Sequence, residues 1–200
     1  MKLYANMWKG STKHIRSIID RLHMGHYVKR KVRTYSLGMR QRLCFAMMMA
    51  ADTPIMLMDE VMNGLDVENV ALISECLMEM KQDKLIFVAS HLLSNLDLYA
   101  DRVLFLKDGK FVHEQKFTDE NEDFLKVEVS FEQYETLQAV LGLPAGHMFI
   151  ANYLLCIPLG GMSESEQTKW MAQMLKYNNE MTIGPLGTVE YYEKYYAKSV

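Results

Sequence analysis

Tyr35-Ser36-Leu37-Gly38-Met39-Arg40-Gln41-Arg42-Leu43 opens a strongly apolar stretch that runs to Ala51 and stops at Asp52-Thr53-Pro54. Ser36 is placed to cap a helix from Leu37 to Ala51, and Pro54 marks its stop. A Ser and a Gly at the start of such a helix leave free amides and the positive dipole end facing outward, an arrangement that can bind phosphate. A plain capped helix accounts for Ser36 but not for the whole string. Next comes Ile55-Met56-Leu57-Met58, an apolar run ending in two acids, Asp59 and Glu60. Val67 to Met80 carries Val70, Ile73, Leu77 and Met80 at helical spacing. Leu85 to Ala89 is a second apolar run, ending at Ser90-His91. Short apolar runs alternating with amphipathic helices predict buried parallel strands in an α/β layer.

Working outward, residues 2 to 33 read as helical, polar and basic, with Leu3, Ile15, Ile18, Ile19 and Leu22 as the apolar stripe. Leu92, Leu96 and Tyr99 suggest a short helix. Arg102 to Leu106 and Lys110 to His113 flank Asp108-Gly109, a strong hairpin signal. The acidic cluster Asp119-Glu120-Asn121-Glu122-Asp123 reads as a linker. Beyond it, Phe124 to Phe131, Met148 to Ile157 and Met181 to Ile183 read as strands, and Glu132 to Leu141, Ser163 to Tyr177 and Val189 to Ala197 as helices. These form a small α+β accessory unit. Its Tyr191, Tyr192, Tyr195 and Tyr196 suggest a docked amphipathic terminal helix. The chain thus divides at 1–50, 51–118 and 119–200.

Half of the 200 residues are apolar and 24% are charged, an ordinary globular balance that disfavours disorder or a fibrous fold. A formal net charge of −3 gives no global attraction for nucleic acid or anionic lipid. Met148 to Leu159 is interrupted by Asn152 and Pro158 and falls short of the roughly 20 residues that span a bilayer as a helix. Met1 to Asn6 has no apolar core of signal-peptide length. Cys44, Cys76 and Cys156 lie scattered in apolar patterns and read as reduced core thiols of a cytosolic protein. The 17 methionines read as flexible core filler.

In an open parallel sheet, ligands collect beyond the carboxyl ends of the strands. Asp59-Glu60 and Ser90-His91 put polar groups at two such ends. The first acid can hold Mg²⁺, directly or through water, because this hard cation takes oxygen ligands. The second can orient or deprotonate an attacking water. A neutral His on a neighbouring strand could donate a hydrogen bond to a transferring phosphoryl group. Taken singly, these acids could merely close a strand and cap a helix.

Together the motifs resemble those of ATP-binding cassette (ABC) ATPases, in the form typical of bacitracin- and multidrug-exporter-like ATP-binding subunits. Tyr35 to Leu43 looks like the signature motif, Pro54 to Glu60 like the Walker B strand, Asn63-Gly64-Leu65-Asp66 like the D-loop, and Ser90-His91 like the switch histidine. Asp101-Arg102-Val103 and Lys107-Asp108-Gly109-Lys110 match the closing hairpin. The resemblance covers residues 1 to about 115, and reaches the C-terminal unit only through Gly187-Thr188-Val189-Glu190. It implies the C-terminal part of a P-loop NTPase domain with a piece of its helical subdomain, followed by the accessory unit. It also implies ATP and Mg²⁺ as ligands. Ser36 and Gly38, followed by Gln41, would serve the γ-phosphate of ATP on the opposite subunit. Asp59 would support Mg²⁺, Glu60 would be the catalytic base, His91 would sense the γ-phosphate, and Asp66 would communicate across the dimer. Leu37, Met39 and Val61-Met62 depart from the commonest family residues.

A phosphate-binding loop, Gly-x-x-x-x-Gly-Lys followed by Ser or Thr, is not found in these residues; Gly109-Lys110 precedes Phe111 in a hairpin. The resemblance therefore implies an ABC ATPase with its N-terminal nucleotide-binding half removed, unable to hydrolyse ATP by itself. Part of a large apolar strand surface should then be exposed, with poor solubility. The expected role is ATP hydrolysis coupled to export, on the cytoplasmic face of the membrane. A second ABC subunit, identical or not, and separate permease subunits would be the partners; Tyr4, Met7 and Trp8 are candidate permease contacts. Alternatives are a non-catalytic donor of the signature motif to an intact partner, a non-functional remnant, or a DNA-repair or translation ATPase. Lys29-Arg30-Lys31 and Arg33 offer that last class only a small basic patch.

Overall fold

Two short helices, α1 (Lys2–Met7) and α2 (Ile15–Arg21), precede the capped helix α3 (Leu37–Ala51). These come from a computed structural model describing residues 1–7, 12–117 and 121–197; it does not describe the side chain of Ser94. The continuous helix expected over 2–33 is broken, and part of it, with Trp8, lies outside the described residues. The reason is geometric. Leu22, Met24 and Tyr27 are all fully buried, yet residues two apart cannot share a helix face. His23 turns the chain with φ of 52°, and turns then lead through a 3₁₀ segment, Val32–Thr34. Leu3, expected on the apolar stripe, is 69% exposed; Ala5 is the buried residue of α1.

Ser36 caps α3 by accepting a hydrogen bond from the Met39 amide at 3.3 Å, and Asp52 ends the helix in the left-handed region. The strand β1 (Ile55–Asp59), helix α4 (Val67–Met80), strand β2 (Leu85–Ala89) and short helix α5 (Leu96–Tyr99) follow. The strands pair in parallel, with Ile55 opposite Leu85 and Asp59 opposite Ala89. Asp66 caps α4 through the Asn69 amide at 2.9 Å, and Arg21 ties α2 to α4 through Cys76 Sγ and Glu79. The alternation of β1 decides its burial: Met56 and Met58 face inward and are buried, whereas Ile55 and Leu57 face outward and are exposed. Leu85 and Phe87 do the same on β2, so these runs, with the composition of strands buried on both faces, expose one apolar face, as expected. Cys76 is a buried free thiol, but Cys44 is exposed on α3, against the expectation of three core thiols. Residues Met1–Tyr99 form one compact unit.

The second unit, Ala100–Val200, begins with a hairpin of β3 (Arg102–Lys107) and β4 (Lys110–Lys116). Asp108 and Gly109, both at positive φ, make the two-residue turn that their sequence announces. Then come β5 (Phe124–Glu128), α6 (Phe131–Leu141), β6 (Met148–Ile150), β7 (Leu154–Pro158), α7 (Glu164–Met174), β8 (Met181–Gly184) and α8 (Thr188–Tyr196). The single strand expected over Met148–Ile157 is two, because Ala151 and Asn152 take positive φ and reverse the chain. The sheet order β6-β7-β5-β8, with every neighbour antiparallel, is the split βαβ arrangement of a ferredoxin-like fold. Leu125, Val127, Leu137, Leu155, Ile157 and Met174 form the core on one face. On the other face Phe124, Ile150, Cys156 and Leu186 pack with Tyr191 of α8. There Lys126 pairs with Glu190 at 2.7 Å, and burial pushes the Cys156 thiol up to about 12, leaving it unreactive. His113 of β4 stacks on Tyr191 and Tyr195 at 4.2 and 5.1 Å, and the Tyr196 hydroxyl donates to the Leu106 carbonyl. The terminal helix is docked through its tyrosines, as their spacing suggests. Among the described residues, no helix is long and apolar enough to cross a membrane.

Candidate active site at the ends of the parallel strands

All seven sequence-selected residues lie in the first unit, at the carboxyl ends of β1 and β2 and the amino ends of α3 and α4. Parallel pairing in this register carries Glu60 and His91 beyond adjacent strand ends. The Glu60 amide donates to the Ala89 carbonyl at 2.9 Å, extending the ladder by one bond past the strand. Glu60 Oε2 lies 2.6 Å from His91 Nδ1, with both side chains open to solvent in part. Glu60 adopts φ of 50°, a left-handed conformation that costs a non-glycine residue about 1–3 kcal/mol and persists only where neighbours hold it. Asp59 is exposed on the same strand face as Ile55 and Leu57.

The turn after Glu60 is built inward from Val61 and Met62, which are buried. Beneath it the Tyr99 hydroxyl donates to Met62 Sδ at 3.8 Å, and burial pushes that phenol up to about 12, so it stays a neutral donor. Asn63 donates its amide to Glu60 O at 3.0 Å, and Leu65 to Met62 O at 3.2 Å. Gly64, at φ of 71°, closes the turn before Asp66.

The start of α3 packs on this turn. Gln41 Nε2 donates to Glu60 O at 3.5 Å and to Asn63 O at 3.3 Å. A Cβ on Gly64 would lie 2.3 Å from Leu37 Cδ2, and one on Gly38 would lie 3.5 Å from Leu65 Cδ2. Sequence reading selected Gln41 and Gly38 but missed Leu37 as a packing partner of Gly64. Asn63-Gly64 announces a turn, but no local signal in the sequence says that Leu37 packs over it. Ser36 and Asp66 both act as helix caps here, and Ser90 Oγ accepts the Leu92 amide at 3.0 Å.

Among the described residues, no three His, Cys, Asp or Glu side chains converge as a metal cage. The exposed Asp59 carboxylate is a donor of the kind Mg²⁺ takes, since this ion binds one or two carboxylates and fills its remaining positions with water and phosphate oxygens. The capped start of α3, with Gly38 one residue inside it, suits a phosphate.

The family model described as "ABC transporter" matches residues 2–63. The uncharacterized ABC transporter ATP-binding protein YhcH of Bacillus subtilis (strain 168) is 34% identical over 157 residues, covering 72% of this chain and 52% of that protein. The lantibiotic transport ATP-binding protein SrtF of Streptococcus pyogenes is 29% identical over 136 residues, covering 66% of this chain and 59% of that protein. A solved structure described as "Structure of ATP binding subunit of ABC transporter" shares the fold, with a TM-score of 0.54 at 20% identity over 59% of this chain and 51% of that one. The chain spans about half the length of the curated relatives it matches. By sequence and by fold, the chain belongs to the ABC transporter ATP-binding proteins and holds part of their ATPase domain.

Proposed function

We propose that this chain forms part of an ATP-hydrolysing subunit that drives export through separate membrane subunits. The approach of Glu60 Oε2 to His91 Nδ1 at 2.6 Å, at the ends of paired parallel strands, carries the reading. Glu60 takes the proton of the attacking water, and its nearness to the imidazole holds the two groups beside one reacting centre. With Nδ1 committed to Glu60, His91 donates to the γ-phosphoryl oxygen through Nε2 in the ring form that carries hydrogen on both nitrogens. Asp59 would hold Mg²⁺, directly or through water, and the ion would supply positive charge against the phosphates. Ser36 and Gly38 present amides and a hydroxyl to the γ-phosphate of ATP held by the opposite subunit. Asp66 meets that subunit across a homodimer or heterodimer interface.

Permease subunits hold the assembly on the inner face of the cell membrane, and the exposed Tyr4 and Met7 are candidates for that contact. The likeness to SrtF, a lantibiotic transport ATP-binding protein, supports transport as the output. The proposal is tested on the purified assembly containing this chain. Glu60→Gln should lower ATP turnover by about 10²–10⁴-fold, the usual contribution of a positioned base. Turnover that survives Glu60→Gln but falls with Ser36→Ala would overturn catalysis by this chain and leave it as donor of the α3 turn to a partner's nucleotide.

A further inference from the structure

We infer that Gln41 and Leu37 are positioning residues: they tie the start of α3 to the 60–65 turn, so that engagement of Ser36 and Gly38 governs the placement of the Glu60 carboxylate. The inference rests on the proposed function for what the site does, and on separate contacts for how it is held.

Glu60 O receives two donors, the Asn63 amide at 3.0 Å and Gln41 Nε2 at 3.5 Å. Gln41 Nε2 also reaches Asn63 O at 3.3 Å. Both hydrogens of the carboxamide are therefore committed to main-chain carbonyls of the turn. What remains of the Gln41 head is a carbonyl oxygen, an acceptor that would repel a phosphate rather than bind it. Its chemistry at this place is that of a strut and not of a nucleotide ligand.

Leu37 supplies an independent contact. Its Cδ2 fills the space where a Cβ on residue 64 would sit, 2.3 Å away, so the turn passes under the leucine only because Gly64 has no side chain. Gly64 also needs its φ of 71°, a conformation that glycine adopts without strain. Leu65 adds a third contact beside Gly38. One helical turn thus touches the turn residues 60, 63, 64 and 65. The residue at its near end, Glu60, is held in a left-handed conformation that it would leave if released. The signature turn that faces the partner's nucleotide and the base that serves this chain's own nucleotide are linked through about one side chain's length of matter. Movement of α3 on nucleotide engagement moves Glu60 with it, which makes the base conditional on an occupied neighbouring site.

Two readouts test this. In the full chain, amide hydrogen exchange is followed at Glu60, Asn63 and Leu65. Gln41→Glu keeps the side-chain volume but removes both donors. It should speed exchange at these amides by about tenfold, as expected for loss of paired hydrogen bonds, while the amides of α4 stay unchanged. Gln41→Lys restores a donor and should return most of the protection. Leu37→Gly, which leaves Gln41 in place, should speed exchange at Leu65 more than at Glu60. In the assembly, Gln41→Glu should lower kcat by about tenfold or more, with the KM for ATP changed by less than about twofold.

Unchanged exchange at 60–65 overturns the inference, as does a raised KM with kcat intact, which would make Gln41 a nucleotide contact. A Glu60→Gln assembly that still turns over ATP overturns the functional reading instead. An inactive Glu60→Gln beside a fully active Gln41→Glu overturns the inference and leaves that reading standing.

Discussion

Leu155 in β7 is fully buried, whereas Leu57 in β1 is 73% exposed, although both are strand leucines in continuous apolar runs. The four-stranded sheet of the second unit has α6 and α7 on one face and α8 on the other. The parallel pair of the first unit turns Met56 and Met58 inward and leaves Ile55, Leu57, Leu85 and Phe87 outward. Composition alone makes these strands look alike. What separates them is which neighbours occupy each face. The polar site also sits in the unit with the open strand face, where Glu60 holds a strained backbone, and the second unit supplies none of the candidate residues.

Truncation of Leu155 to Ala should therefore cost about 2–5 kcal/mol, the range for a large-to-small change at a packed position. Chemical denaturation followed by the fluorescence of Trp170, which packs against the same core, reads this loss directly. A loss below about 1 kcal/mol would mean a loosely packed second unit and would erase the contrast.

A smaller effect is expected from pH. Burial, followed by the charge of Lys194, holds the His113 imidazole below its ordinary value, against the opposing pull of Glu114. Tyr191 and Tyr195 stack on the ring. Because the folded state resists the proton that the unfolded chain accepts near pH 6.5, stability is present above that pH and declines as pH falls through it. Melting of the second unit between pH 7.5 and 5 should show this decline, and His113→Gln should flatten it. An unchanged slope in the variant would assign the dependence to other groups.

The smallest effect belongs to Leu57. Leu57→Ser should change stability by no more than about 0.5 kcal/mol in the same denaturation experiment, as for exposed positions elsewhere. A loss above about 2 kcal/mol would reveal that the outer strand face is covered in solution, and the contrast between the two sheets would vanish.

Where local chemistry decides the outcome, the sequence was legible. Ser36, Asp52 and Pro54 bound α3 as expected, Val67–Met80 is helical over its expected span, and Asp108-Gly109 turns the hairpin. The strand-end positions of Glu60 and His91 followed from the two apolar runs, and their proximity from parallel register. Two readings failed where burial overrode periodicity. Leu22, Met24 and Tyr27 are buried together by leaving the helix, and Ala151-Asn152 folds one apolar run into a hairpin. The fit of Leu37 over Gly64 and the two bonds of Gln41 were illegible, because each depends on how a helix start meets a turn well beyond it in the chain, 19 residues on for Glu60 and 22 for Asn63.

The docking of α8 also has a consequence in time. Tyr196 meets Leu106 across a separation of 90 residues, and Phe105 is buried among Tyr191, Tyr195 and Tyr196. A ribosome adding about 5–20 residues per second takes roughly 5–18 seconds to travel that distance. Through that interval the hairpin exists without its helix, and Phe105 stays open to water and to any chaperone that binds apolar side chains.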